Sequence, residues 1–232
     1  MIEHRPVASL GHGDLGWLQA RYHFRIGSYG NPAHQPVGGL FVWNDDEQAP
    51  GSGFPTHGHS DVEIITYVRE GRILHRDSAG GAGEIAAGDV QVMSAGTGIT
   101  HSETAAPDAR TKLFQIWIRP RERGGEPRWD TRPFPKADRA GRFVVLASGF
   151  TEDTDALEIR ADARVLGAFL TEGQAVHLDL APGCKAYIVP TKGGIELNGV
   201  TLQPRDGAVI RDEDRVQIRA LADTELVMVE SV

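Results

Sequence analysis

Two short stretches hold most of the residues in this chain that could do metal chemistry. The first, "FPTHGHSDVEIITYV" over residues 54–68, sets His57 and His59 one residue apart and follows them with Asp61 and Glu63. The second, "TGITHSE" over residues 97–103, sets His101 two residues before Glu103. In a strand, residues i and i+2 point to the same face, so each pair projects together. Asp61 and Glu63 share the face of the histidines only if the strand stays regular. Two imidazoles aimed into a barrel are costly unless they are hydrogen-bonded or bind a metal. Two such pairs on adjacent strands bring three imidazoles and one carboxylate to one point, a metal site of N3O type. Each piece alone has a plainer reading. A His-x-His occurs in polar turns, Asp61 suits a turn cap, and Glu63 suits a carboxylate beside the ligands or at the edge of the core. The pairs together favour the metal site.

Other chemistry finds less support. His75, in "ILHRDS", falls in the next strand and reads as a structural histidine or one behind the ligands, while His4, His12, His23 and His34 have no partner at ligand spacing. The glycine-rich "AGTG" at 95–98 precedes no helix-forming segment, so it reads as a tight turn rather than a phosphate cradle. Ser60, Ser94 and Ser102 stand near histidines, but none lies in a G-x-S-x-G elbow, which disfavours a serine hydrolase.

The elements that must position these residues are short. Runs of four to seven residues such as "GGLFVW", "VEIITYV", "VQVM", "KLFQIWI", "RVLGAFL" and "KAYIVP" are separated by Gly, Pro, Asp or Asn, the punctuation of strands and turns. With 28 Gly and 13 Pro in 232 residues, turns outnumber any long helix, and the chain reads as all-β, a sandwich or barrel. Only "HGDLGWLQA" and "TEDTDALEI" leave room for short helices.

A weak internal repeat divides the chain. "GEIAAGDVQVM" (83–93) shares its layout with "GVTLQPRDGAVI" (199–210), and "KLFQIWI" resembles "TELVMVE" as a closing strand. Between the halves, charge and Pro/Gly displace the apolar pattern over 119–141. This predicts an N-terminal metal-binding barrel over 1–120, a linker over 121–141 and a C-terminal barrel over 142–232. Arg119, Arg121, Arg123, Arg128 and Arg132 are interleaved with acids and Pro there, so a solvated linker is preferred to an anion site. The second half has only His177, followed by Asp179, so if the halves are related it has lost its ligands.

The formal net charge of −8 disfavours contact with nucleic acid or an anionic membrane, since either needs a basic face. No segment approaches the ~18 apolar residues of a membrane span, and the N-terminus lacks the apolar core of a signal peptide. The single Cys184 allows no internal disulfide. A cytoplasmic monomer is the expectation.

At this point the motifs resemble a known family. "GSGFPTHGHSDVEIITYVREG" matches the first cupin motif, through Gly51, His57, His59, Glu63 and a Gly71 one place later than usual. "GDVQVMSAGTGITHSE" is similar to the second, through Gly88, Gly98 and His101. Within the cupins, "EIITYVREG", "MSAGTGITHSE" and "QIWIRP" resemble the bacterial pirin-like proteins, most closely over residues 38–120. The resemblance implies a bicupin, two jelly-roll barrels facing each other, with one metal in the N-terminal barrel and none in the C-terminal one. It carries the ligands onto His57, His59, His101 and Glu103, in agreement with strand parity. The implied cofactor is one divalent transition metal, Fe(II) foremost, with Mn, Co, Ni, Cu and Zn as alternatives. The implied partners are a small aromatic substrate and dioxygen: some members cleave the flavonol ring of quercetin with release of carbon monoxide. Others are described as iron-dependent transcriptional cofactors, so a metal-sensing regulatory protein is the alternative, and a cupin enzyme with another substrate is a third. Glu103, and after it Glu63, is expected to help remove the substrate's hydroxyl proton. Phe54, Trp43 and Met93 are candidate apolar walls for a flat aromatic ligand, with ordinary core packing an equal alternative for each. Gly58 and Ser60, where the family often has Pro and a basic residue, lie beside the ligands and bear on what the pocket admits.

Overall fold

The computed structural model describes all 232 residues. The first half contributes β1 (Ile2–Arg5), β2 (Gly11–Asp14), β3 (Leu18–Tyr22), β4 (Leu40–Gln48), β5 (Gly53–His59), β6 (Glu63–Glu70), β7 (Arg72–Asp77), β8 (Ala82–Ala86), β9 (Asp89–Ser94), β10 (Ile99–Ala105) and β11 (Thr111–Ile118). There follow β12 (Arg128–Pro133), β13 (Val144–Ser148), β14 (Leu157–Glu158), β15 (Ala163–Leu170), β16 (Ala175–Asp179) and β17 (Lys185–Lys192). The chain closes with β18 (Ile195–Leu197), β19 (Val200–Leu202), β20 (Gly207–Ile210), β21 (Arg215–Ala220) and β22 (Thr224–Ser231). Two single 3-10 turns, Val7–Ser9 and Lys136–Arg139, are the only helical pieces.

Each half is a jelly roll built from a seven-stranded and a four-stranded sheet. The large sheets run β12-β9-β6-β11-β4-β3-β2 and β1-β20-β17-β22-β15-β13-β14; the small ones run β5-β10-β7-β8 and β16-β21-β18-β19. The repeat read from the sequence is real in these terms. β8 to β9 and β19 to β20 both cross from a small sheet to a large one, and β11 and β22 both lie at the centre of theirs.

The two large sheets face each other through a cluster of 24 buried apolar residues, including Trp43, Ile65, Tyr67, Val92 and Phe114 from the first half and Val165, Tyr187, Val189, Val209 and Val227 from the second. Strands of the first large sheet are therefore covered on both faces, which is why "EIITYV" lacks alternation. Polar bridges reinforce the junction. Arg139, wholly buried, pairs with Glu225 at 3.0 Å and donates to the Tyr67 hydroxyl at 3.0 Å. Asp45 on β4 accepts from Arg69 of its own half and Arg205 of the other.

Three expectations need correction. "HGDLGWLQA" forms the β2–β3 hairpin, not a helix: Gly16 takes a φ of 79° and its N–H donates to Asp14 Oδ1 at 2.7 Å, closing a turn. "TEDTDALEI" is turns leading into β14. The stretch 121–141 is more than a linker, because β12 within it pairs with β9 at the edge of the first large sheet. In exchange, β1 from the extreme N-terminus pairs with β20 in the second half, so the barrels do not divide at residue 120 as drawn. An edge strand has a backbone ladder to satisfy, and one edge of each large sheet is extended by a strand lying outside its own half-repeat.

No helix is long and apolar enough to cross a membrane.

Candidate metal centre

β5 and β10 are neighbours in the small sheet of the first barrel, with His57 opposite His101 in register. Strand parity holds on both: His57 and His59 project together, as do His101 and Glu103. The three imidazole rings meet with centroids 4.5 to 5.1 Å apart, and one ring nitrogen from each lies within 4.8 Å of the others. A bulge opposite Ser102 lets β5 gain a residue, so Phe54, at odd spacing from His57, also faces the pocket.

The imidazoles are prepared to bind a cation. His57 Nδ1 lies 2.8 Å from the Pro55 carbonyl, so that nitrogen carries the proton and Nε2 is left with its lone pair. His101 is 2% exposed, and neither of its ring nitrogens has a partner. An unpaired buried polar atom costs about 1–3 kcal/mol, a cost that a bound metal offsets. Burial pushes His101 down to about 4, so its ring is neutral at physiological pH. Burial also lowers His59, with His57 nearby adding to the effect. Three imidazoles with ring nitrogens converging, and Glu103 grouped with His101 and His75 behind them, fit a divalent transition metal.

Glu103 is 2% exposed and held on several sides. Its Oε1 accepts from Gln91 Nε2 at 2.7 Å and Thr66 Oγ1 at 3.5 Å, and its Oε2 accepts from Gln115 Nε2 at 2.5 Å. Burial opposes its charge, but the His75 ring 3.9 Å away, together with the Gln91 amide, holds it below the usual carboxylate range. His75 is held in turn, with Nε2 2.9 Å from Asp77 Oδ2 and its ring stacked on Trp129 at 5.1 Å. Trp129, from β12, also donates to Gln91 Oε1 at 2.7 Å. The supposed linker thus supplies a residue that orients Gln91, which orients Glu103.

The supports for Glu103 lie in one row across the large sheet: Gln115, Thr66 and Gln91 are successive register partners on β11, β6 and β9, with Asn44 on β4 next in the row. None was among the sequence candidates. The signal was a lone polar residue inside each apolar run, as in "VQVM" and "KLFQIWI", where a buried polar group needs a partner.

Glu63 does not join the cluster. Asp61, at φ 52°, breaks the strand after His59, so parity does not carry from β5 into β6, which belongs to the other sheet. Glu63 Oε2 instead accepts from Ser94 Oγ at 2.6 Å and from the Arg160 N–H of the second half at 3.1 Å. It is a junction residue, and its expected part in proton removal is withdrawn. Asp61 does not cap its own turn: its Oδ1 accepts from the Gly124 N–H at 2.7 Å and ties the bend after β5 to the 121–125 loop.

The histidines open onto a pocket of about 280 Å³ lined by Asn44, Asp46, Phe54, His57, His59, Ile64, His101, Glu103, Gln115 and Trp117. Phe54 is a wall, as expected. Trp43 and Met93 are not: Trp43 faces the second half, tilted against Phe114 and edge-on to Tyr187, and Met93 packs with Val62, Ile64 and Ile99. Trp117 takes the wall position, its ring edge-on to His59 at 5.0 Å. Gly58 points away from the pocket, since a Cβ there would lie 3.7 Å from Thr100 Cγ2 in ordinary contact, and Ser60 is not part of the lining. Burial, with Asp45 and Glu103 nearby, pushes Asp46 up to about 8.

In the second barrel the strand equivalent to β5 is β16, where His177 is exposed while Val176 and Leu178 pack against an interior of Leu, Ile, Val and Ala.

Comparison with known proteins agrees with this architecture. The family model described as Pirin matches residues 3–118, and the one described as Quercetinase C-terminal cupin domain matches residues 145–230. The chain is 54% identical over 231 residues to the pirin-like protein of Caulobacter vibrioides, covering 100% of each. It is 37% identical over 230 residues to the quercetin 2,3-dioxygenase of Escherichia coli, covering 98% of this chain and 97% of that one. The crystal structure of the bacterial pirin YhhW from Escherichia coli in complex with nickel(II) matches with a TM-score of 0.93 at 34% identity, covering 100% of this chain and 99% of that one. With both barrels matched and relatives aligned from end to end, the chain belongs to the pirin family of cupin proteins.

Proposed function

We propose that this protein is a metal-dependent dioxygenase that cleaves the central ring of quercetin-like flavonols, with His57, His59, His101 and Glu103 holding one divalent transition metal, iron(II) foremost. The observation that carries this reading is the convergence of ring nitrogens from three imidazoles, those of the buried His101 unpaired and Glu103 beside that ring, in a pocket walled by Phe54, Ile64 and Trp117. The names borne by relatives such as the Escherichia coli quercetin 2,3-dioxygenase support the reaction class.

A metal held by these residues would supply Lewis acidity toward an enolic oxygen of the substrate. The remaining work falls to the chain. Glu103, kept anionic and oriented by Gln91 and Gln115, is the group that accepts the substrate's 3-hydroxyl proton, which must come within about 2.6–3.2 Å of it. Phe54 and Trp117 hold the flat ring system against the histidines and exclude water from the reacting edge. The second barrel, apolar inside, supports the first through the shared core and binds no metal in this reading.

The test is iron(II) loading without oxygen, then addition of quercetin and dioxygen. Loss of flavonol absorbance with release of carbon monoxide is the expected result. Metal-loaded protein that gives neither would refute the assignment.

A further inference from the structure

Four side chains opposite the histidines have buried polar atoms that no protein group satisfies: Asn44 Oδ1, Asp46 Oδ1, Gln115 Oε1 and Trp117 Nε1. All four line the pocket. They come from two neighbouring strands, β4 and β11, with Asn44 opposite Gln115 in register, and they face the small sheet that carries His57, His59, His101 and Glu103. Buried polar atoms normally have partners, so four together on one wall describe a surface made for a ligand with polar groups of its own.

The polarity of that wall is fixed by chemistry. Gln115 Nε2 is committed to the Glu103 carboxylate, which can only accept. Its carbonyl oxygen is therefore the atom turned toward the pocket, as an acceptor. Asp46 and Asn44 each add a carbonyl-type oxygen, and Trp117 adds an N–H donor beside the Asn44 amide. A wall that offers both acceptors and donors matches hydroxyl groups, which donate and accept at once, and a bare aromatic ring would leave all four buried atoms unpaired. Size narrows the choice further. A cavity of about 150 Å³ holds one benzene ring, so about 280 Å³ encloses a hydroxylated ring or a fused pair of rings, not a whole three-ring flavonol.

Resting on the dioxygenase reading above, we infer that Asn44, Asp46, Gln115 and Trp117 form the specificity wall of this site, selecting a ring system that carries hydroxyl groups in addition to the one bound at the metal. Asn44 and Asp46 hold no metal ligand in place, so they tune selection separately from the metal. Gln115 does both and is unsuited to a clean test.

The test uses nickel(II)-loaded full-length protein without oxygen, titrated with quercetin and with 3-hydroxyflavone. The two share the enolic group but differ in their further hydroxyls. Wild type should prefer quercetin by roughly tenfold to a hundredfold, the range expected when one or two hydroxyl partners are lost. In Asn44→Leu and, separately, Asp46→Leu, checked for retained nickel content and β-sheet circular dichroism, the preference should fall at least about fivefold. An unchanged preference in both variants, equal affinities in wild type, or no binding of either probe overturns the inference; unchanged preference is also what ordinary pocket water on these atoms would give. Because binding is read without turnover, preference without oxygen consumption would fail the dioxygenase reading alone, and turnover with unchanged preference would fail the wall alone.

Discussion

Glu103 and Gln115 stand on opposite walls of the first barrel, and the Gln115 amide donates to Glu103 Oε2 at 2.5 Å across the interior. The contact ties the small sheet, which carries every candidate ligand, to the centre of the large sheet. It also fixes which way the glutamine carbonyl points. Replacing Gln115 by Leu keeps the volume but removes the donor, so the carboxylate loses orientation. Metal affinity should fall about 10- to 100-fold, the usual effect of losing a group that orients a ligand, as measured by competition with a chromophoric chelator.

His101→Ala should abolish stoichiometric metal binding while leaving the β-sheet circular dichroism of the metal-free protein intact. The ring is buried but makes no hydrogen bond that the barrel depends on. Metal analysis after dialysis, set beside a thermal melt, checks both halves of the expectation.

Glu63→Ala should leave metal stoichiometry unchanged and lower stability instead. The Ser94 hydroxyl and the Arg160 N–H would each lose an acceptor, at about 1–3 kcal/mol for such a buried group. Urea unfolding followed by fluorescence measures the loss, and an altered metal content would return Glu63 to the site.

Asp46 predicts a pH dependence of the metal-free protein. Its folded value is raised from 3.8 to about 8. Below pH ~4 both states hold the proton, so burial of the neutral acid stabilises fully. Between about 4 and 8 the unfolded chain releases the proton and the folded chain keeps it, so stability falls as pH rises. The slope is at most about 1.4 kcal/mol per pH unit from this group. Asp46→Asn should flatten the fall between pH 5 and 8, read as the difference between the two proteins' urea midpoints.

Arg139→Met should destabilise both halves together. Removing one partner of a buried ion pair costs about 3–5 kcal/mol, with Lys136, 3.0 Å from Glu225, offsetting part of it. Because Tyr67 of the first half and Glu225 of the second share this arginine within one continuous core, a single transition at lower urea is expected. Two separate transitions by far- and near-ultraviolet circular dichroism would contradict it.

Much of the site was legible because strand parity is local. His57 with His59, and His101 with Glu103, depend only on two-residue spacing within a strand, and spacing is what a sequence records. The strand-and-turn punctuation and the repeat ending in "KLFQIWI" and "TELVMVE" likewise set the all-β class and the two-fold plan. Parity failed where one backbone angle intervened. Asp61 turns the chain after His59 and sends Glu63 to the other sheet, a change no alternation pattern contains. The exchange of β1 and β12 between halves, the inward row of Asn44, Gln115, Thr66 and Gln91, and the seat of Trp43 in the shared core are all matters of which strand lies beside which. Long-range pairing decides them, because sheets are assembled from segments distant in sequence and a residue's surroundings belong to its neighbours in space. The sequence by itself determined which side chains could bind a metal. Tertiary structure decided that Glu63 stands apart from them, that Glu103 lies beside His101 and His75, and which polar wall faces the histidines across the pocket.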